Sequence, residues 1–266
     1  MLSRQLINAF LGATFALASL GASAQTADKP LKVGTMAGSD AQIFEVVKKV
    51  AEKRGLFIKI VEFSDYAQPN AALDAGDLDA NGFQHKPFLD SQVKDRGYKI
   101  TTAGLTYVSP LGFYSKKYKS LKDLPNGAQI GIQNDPSNGS RALRLLAKEG
   151  LIKVKPGLDG KNITPLDIEN PKKFKIRELE AAQLPRALPD LDAASINTNF
   201  AAQAGLVPKR DAIAIEDLKG PYANLIAVRT QDLNKPWVKQ LVDAYHSDEV
   251  KQFIDTQFKG ALIATW

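Results

Sequence analysis

The densest chemistry in the sequence lies at residues 134–141, Asn-Asp-Pro-Ser-Asn-Gly-Ser-Arg, where small residues and a proline lead into a helix-forming run and Arg141 falls in its first turn. A helix start offers unpaired backbone amides and the positive end of the dipole, and a guanidinium adds a planar two-pronged donor, so together they suit a carboxylate. On residue type alone Arg141 could equally pair with an Asp or Glu at the surface. A second group, residues 81–88, gathers Phe83, His85 and Phe88 at a strand end, with Tyr66 on an earlier loop. Such rings can wall an apolar pocket and tolerate a thioether, whose sulfur gains roughly 0.3–1.5 kcal/mol against a ring edge. The alternative is that both phenylalanines are ordinary core and His85 a hydrogen-bonded structural residue. Asn197, Asn199 and Asn224 supply amides that can accept from an ammonium or donate to a carboxylate. They can also simply cap turns.

Catalytic equipment is sparse by contrast. The 266 residues contain no Cys and two His, His85 and His246, which excludes disulfides, thiolate chemistry and a multi-histidine zinc site. No G-x-S-x-G elbow, phosphate loop, H-E-x-x-H or EF-hand run occurs. Asp77 with Asp79, and Glu178 with Glu180, alternate on strand-like segments and read as exposed faces. No metal and no cofactor is expected.

Residues 1–24 carry one positive charge at Arg4, an apolar run from Leu6 to Leu20 and small residues at Ala22 and Ala24, the pattern of a cleavable secretory signal with the mature chain starting at Gln25. With Arg4 removed, 34 basic residues face 29 acidic ones, about +5 at neutral pH. The positive residues come as separated pairs, not as a stripe with interleaved aromatics, so nucleic-acid binding is disfavoured.

The elements that must position these residues alternate. Residues 31–34 read as a strand, a helix starts near Asp40 with Ile43, Val46, Val47 and Val50 at helical spacing, and a strand follows at 57–63. Helix 68–75 ends at Gly76, and 77–83 is a short strand. The extended run from Thr106, broken by Pro110 and Gly112, reads as a crossing between domains. A second unit follows, with strand 128–132, a loop at 135–139, helix 140–149, strand 175–179, a helical piece at 184–188 and strand 193–196. Residues 223–229 return the chain to the first unit ahead of helices 235–244 and 248–258. Two crossings imply two α/β lobes, 31–110 with 225–266 and 111–224. Open α/β sheets bind ligands beyond the carboxyl ends of their strands, so facing lobes would share a cleft lined by loops 34–39, 64–70, 82–88, 134–141 and 197–200.

Across 31–266 the chain resembles the NlpA/MetQ-type substrate-binding proteins that deliver methionine to an ABC importer. The resemblance is carried by Gly82-Phe83-Gln84-His85, by 134–143, by Leu179-Glu180-Ala181-Ala182-Gln183-Leu184-Pro185-Arg186, by 194–201 and by Tyr222-Ala223-Asn224. It implies a bilobal periplasmic-binding-protein fold of type II-like form that closes around ligand by hinge motion. Arg141 would hold a ligand carboxylate, and Asn199 and Asn224 would bind its α-amino and carboxylate groups. Tyr66, Phe83, His85 and Phe88 would enclose the side chain, with Asn138 and Gln183 as further cleft positions. Phe88 stands where the family usually has tyrosine, leaving the wall one hydroxyl short. Many relatives are lipoproteins, whereas this leader region has no cysteine, so the expected protein is a periplasmic monomer free of a lipid anchor.

The function expected is therefore a non-catalytic receptor for L-methionine that feeds a permease and its ATPase. A receptor for another amino acid or a small peptide, a periplasmic enzyme using His85 as base, and an adhesion or structural protein are the alternatives.

Overall fold

The computed structural model describes residues 29–266; the expected leader, 1–24, lies outside them. Strand β1 (Leu31–Met36) leads to helix α1 (Ser39–Lys53), whose buried positions Ile43, Phe44, Val47 and Val50 follow the helical repeat. The alternation continues through β2 (Ile58–Phe63), α2 (Gln68–Ala75), β3 (Ala80–His85), α3 (Lys86–Arg96) and β4 (Ile100–Val108). Gly76 ends α2 in the left-handed region, as a helix-stopping glycine does. Helix α3 is absent from the sequence reading. Only Phe88, Leu89 and Ser91 of its eleven residues are buried, too few to print an apolar stripe.

After Ser109 and Pro110 the chain enters a second sheet. Its elements are β5 (Leu111–Tyr114), β6 (Gln129–Gln133), α4 (Pro136–Lys148), β7 (Lys153–Val154), β8 (Ile168–Glu169), β9 (Lys175–Leu179), α5 (Leu184–Ala187), β10 (Ala193–Asn197), α6 (Thr198–Gln203), α7 (Pro208–Asp211) and β11 (Ala212–Ile215). The chain then returns as β12 (Ala223–Arg229), followed by α8 (Pro236–Tyr245), α9 (Asp248–Phe258) and β13 (Ile263–Ala264). Helix α4 starts at Pro136, earlier than the helix expected from residue 140. Asp135 caps it by accepting from the Asn138 backbone N–H, and proline is pre-set for the first helical position.

The first sheet has the order β13-β4-β12-β3-β1-β2 and the second β11-β5-β10-β6-β9, while β7 and β8 pair as a small ribbon. Two separate sheets joined by two crossings make a bilobal α/β molecule. One apolar cluster packs α1, α8 and α9 on the first sheet, and another fills the second lobe around Leu143, Leu146 and Ile130. A third cluster joins residues of both lobes, with Phe83 and Phe88 from one and Tyr114, Leu184, Ile196 and Phe200 from the other.

Topology decides what meets at the gap. Strands β1 and β3 are parallel, and β12 runs antiparallel to both β3 and β4. The end of β3, the end of β4 and the start of β12 therefore share one edge, with Asn224 opposite His85. In the second sheet the parallel strands β6, β9 and β10 end on the same side at Gln133, Leu179 and Asn197, and α4 starts there.

Gly139 allows α4 to sit against β6: a Cβ there would lie 2.7 Å from the Gln133 carbonyl oxygen, a backbone atom that cannot rotate away. Gly139→Ala should lower the unfolding free energy by about 1–3 kcal/mol, the usual range for overpacking. Urea denaturation measures it, and an unchanged midpoint would show that the helix start has room to move.

Candidate functional site

Between the lobes lies a small cavity lined by Tyr66, Phe83, Gln84, His85, Phe88, Tyr107, Ser109, Asn138, Arg141, Asn197, Asn199 and Asn224. Eight of the nine residues expected at the site are therefore brought together. Gln183 is not among them. It ends a short turn, Ala181–Gln183, is exposed, and lines a different groove between the lobes with Ser64, Arg186 and Gln203, while its neighbour Leu184 takes the buried position.

Arg141 is buried, with 4% of its surface exposed. Its Nε donates to both carboxylate oxygens of Glu216 at 3.0 and 2.9 Å, and its Nη2 donates to Glu216 and to the Ser109 carbonyl, the latter at 3.0 Å. The guanidinium carbon sits 4.1 Å from the centre of the Tyr222 ring, a cation–π contact. Nη1 has no partner among the described residues. The arginine pairs with an acid, as its residue type allowed, but inside the molecule and not at its surface, and it also lines the cavity.

Asn199 presents a second free donor. Its Oδ1 accepts from the Tyr66 hydroxyl at 2.7 Å, which fixes the amide orientation, and its buried Nδ2 has no hydrogen-bond partner. Burial raises the Tyr66 pKa well above the ordinary phenol value, so that hydroxyl remains a donor. A buried amide N–H without an acceptor is costly, and it marks a position that an acceptor would stabilise. Asn224 Nδ2 reaches the Phe83 carbonyl at 3.4 Å, which turns its Oδ1 toward acceptor duty.

His85 is held neutral. Its Nδ1 accepts from the Phe88 backbone N–H at 3.2 Å and its Nε2 faces Asn138 Oδ1 at 3.1 Å. Asn138 Nδ2 donates to the Asp135 carboxylate, so Asn138 Oδ1 is the acceptor and the histidine proton lies on Nε2. Burial, helped by the nearby Arg141 charge, lowers the His85 pKa to about 3. With both ring nitrogens engaged, no lone pair is left for a base. Asn138 Oδ1 also accepts from Asn197 Nδ2 at 3.0 Å, and Asn197 Oδ1 accepts from Gln133 Nε2 at 2.8 Å. This chain of amides leaves no freedom of orientation at the cavity floor.

The aromatic wall is continuous. Tyr66 lies 5.8, 5.9 and 4.9 Å, centroid to centroid, from Phe83, Phe88 and Phe200, and Phe83 meets Phe88 edge to face at 5.9 Å. The phenylalanines are thus both core and wall.

Sequence reasoning did not reach Tyr107, Ser109, Gln84 or Glu216. Tyr107 and Ser109 sit in the extended run read only as a crossing, and Glu216 carries no local motif. Gln84 is tied into a buried amide cluster, exchanging hydrogen bonds with Asn70 and donating to Asn81 Oδ1. Tyr107 donates to the buried carboxyl of Asp40. Among the described residues no group of side chains could hold a metal ion, and no helix is long and apolar enough to cross a membrane.

Two facing α/β lobes and a polar and aromatic cavity between strand ends define a ligand-binding protein of the bilobal type. A model of the NlpA lipoprotein family matches residues 31–266, and the chain belongs to that family. It is 50% identical over 240 residues to the D-methionine-binding lipoprotein MetQ of Escherichia coli (strain K12), covering 89% of this chain and 88% of that one. It is 48% identical over 264 residues to the protein of the same name from Salmonella typhimurium, covering 97% of each. Among solved structures, a nutrient binding protein from Burkholderia cenocepacia bound to methionine superposes with a TM-score of 0.87 at 64% identity, covering 89% of this chain and all of the other.

Burial pushes the Asp40 carboxyl up from 3.8 to about 7, with the Tyr107 hydrogen bond pulling partly back. The folded protein therefore keeps a proton that the unfolded chain releases. The stability this contributes is full below pH 3.8 and is lost as pH rises through about 7. Urea unfolding of the wild type and Asp40→Asn at about pH 4 and about pH 8 should show the wild type losing ground to the variant as pH rises. A constant difference between the two would contradict a buried, proton-holding Asp40.

Proposed function

We propose that this chain is the substrate-binding protein of an ABC importer and that its cleft takes free methionine. One observation carries the reading: Arg141, whose hydrogen bonds all run from Nε and Nη2, and Asn199, whose buried Nδ2 has no partner, both line a cavity whose other wall is aromatic. A carboxylate satisfies the two donors, Asn224 Oδ1 accepts from the α-ammonium, and Tyr66, Phe83, His85 and Phe88 sheathe the thioether. Asn138 acts by holding His85 in place, since its own polar atoms are engaged. Gln183 lines a neighbouring groove and is not among the residues around the cavity.

The lobes, expected as 31–110 with 225–266 and 111–224, close as bodies about the two crossings, with Ala223 and Asn224 carried by β12 in the first sheet. Direct hydrogen bonds between them support this: Tyr66 to Asn199, His85 to Asn138, and Gln203 Nε2 to the Ala37 carbonyl at 2.7 Å. Ligand contacts to both lobes then select the closed form, which the permease and its ATPase would read. The relatives named for methionine binding, and the methionine-bound neighbour, support this substrate class. Several are named for the D-enantiomer, so selectivity between L- and D-methionine is a property to measure. An enzymatic role for His85 is disfavoured by its engaged nitrogens and its pKa of about 3.

Residues 1–24 would direct export to the periplasm, and with no cysteine in the 266 residues the mature chain would lack the thiol that carries lipid in lipoprotein relatives. One cleft per chain fits a monomer.

Mass spectrometry of small molecules released from denatured purified protein should detect methionine, and added methionine should raise the melting temperature through linkage. Arg141→Ala should weaken binding by about 3 kcal/mol, roughly a hundredfold or more, and erase the shift at ligand concentrations that saturate the wild type. An undiminished shift in that variant would overturn the reading.

A further inference from the structure

The cavity wall carries one formal charge, that of Arg141, and no carboxylate. A free amino acid brings an ammonium as well as a carboxylate. A bare buried guanidinium would repel the first and would welcome any anion of suitable size. Glu216 stands behind it. It reaches Arg141 from the segment between β11 and β12, meets two of its nitrogens, and accepts from the Leu111 backbone N–H at 3.2 Å. The two side chains are 5% and 16% exposed, so water screens the pair weakly. The other acids nearby are engaged elsewhere: Asp135 accepts from Asn138, and Asp40 from Tyr107. Neither bonds the guanidinium.

We propose that Glu216 is a specificity-determining residue that makes the cavity electrically neutral and presents a single edge of Arg141, so that the site favours a zwitterion over a singly charged analogue of the same shape. This rests on the receptor reading above. Because Glu216 lies outside the cavity wall, it acts through Arg141 and not by touching ligand. Its double attachment, to Arg141 and to Leu111, also ties the segment entering the second lobe to the segment leaving it, next to the Ser109 carbonyl that Arg141 bonds.

Calorimetric titration with three probes tests the inference: methionine, methylthiobutanoate, which lacks the ammonium, and methioninol, which lacks the carboxylate. In the wild type both analogues should bind more weakly than methionine by about a hundredfold or more, and within about tenfold of each other. In Glu216→Gln the affinity of methylthiobutanoate relative to methionine should rise by about tenfold or more, and methioninol should fall behind. Glu216→Asp keeps the charge and should keep the wild-type order while weakening all binding. A Glu216→Gln protein with weakened binding but an unchanged order among the probes would reduce Glu216 to a structural strut and overturn the inference. If that variant does not fold, the wild type decides: a preference for methylthiobutanoate over methioninol beyond about a hundredfold would contradict a neutral site. Failure of the wild type to bind methionine would instead sink the receptor reading, and this inference with it.

Discussion

A guanidinium buried between two lobes must be neutralised and its donors satisfied, and much of the site follows from how this is done for Arg141. Removing such a charge from water costs several kcal/mol unless partners replace the lost solvation. Glu216, the Ser109 carbonyl and the Tyr222 ring supply most of that replacement. They leave Nη1 over. The arginine is thus stable enough to be buried, and it lines the same cavity as Asn199, whose amide nitrogen has no partner.

The fold serves this arrangement through strand direction. In each sheet the parallel strands end at the gap, so short turns there deliver polar groups with little backbone to order. Chain reversal brings Asn224 alongside His85 on the neighbouring strand. The cleft is also where the two lobes bond each other, by Tyr66 with Asn199 and His85 with Asn138. Residues that line the cavity are therefore residues that hold the lobes together, which is the coupling the proposed closing receptor needs. The interlocked amides from Gln133 through Asn197 to Asn138 fix rotamers that would otherwise blur a small cavity.

Much of this was legible in the amino-acid order, for identifiable reasons. Strands β9 and β12 and helices α2 and α9 lie where apolar patterning and stop signals place them. The Asp135-Pro136 step announces α4, though a few residues earlier than the apolar run suggests. The polar helix α3 was hidden because its burial rests on few side chains. Contacts distant in sequence were hidden altogether: Glu216 meets Arg141 across 75 residues, and nothing in its neighbourhood separates it from an ordinary surface acid. Gln183 shows the opposite failure. It lies in a stretch that resembles the family well, yet its side chain is exposed and lines a neighbouring groove, not the central cavity. The resemblance supplied roles that residue types left open, and the geometry adds which of those residues line the cavity and which hydrogen bonds hold them.

The most direct measurement is a crystal structure of the protein grown with methionine. The account predicts ligand in the central cavity, its carboxylate within hydrogen-bond distance of Arg141 Nη1 and Asn199 Nδ2, its sulfur among Tyr66, Phe83 and Phe88, and the Arg141–Glu216 pair intact. A carboxylate seated away from Arg141, or methionine bound outside the cavity, would contradict it.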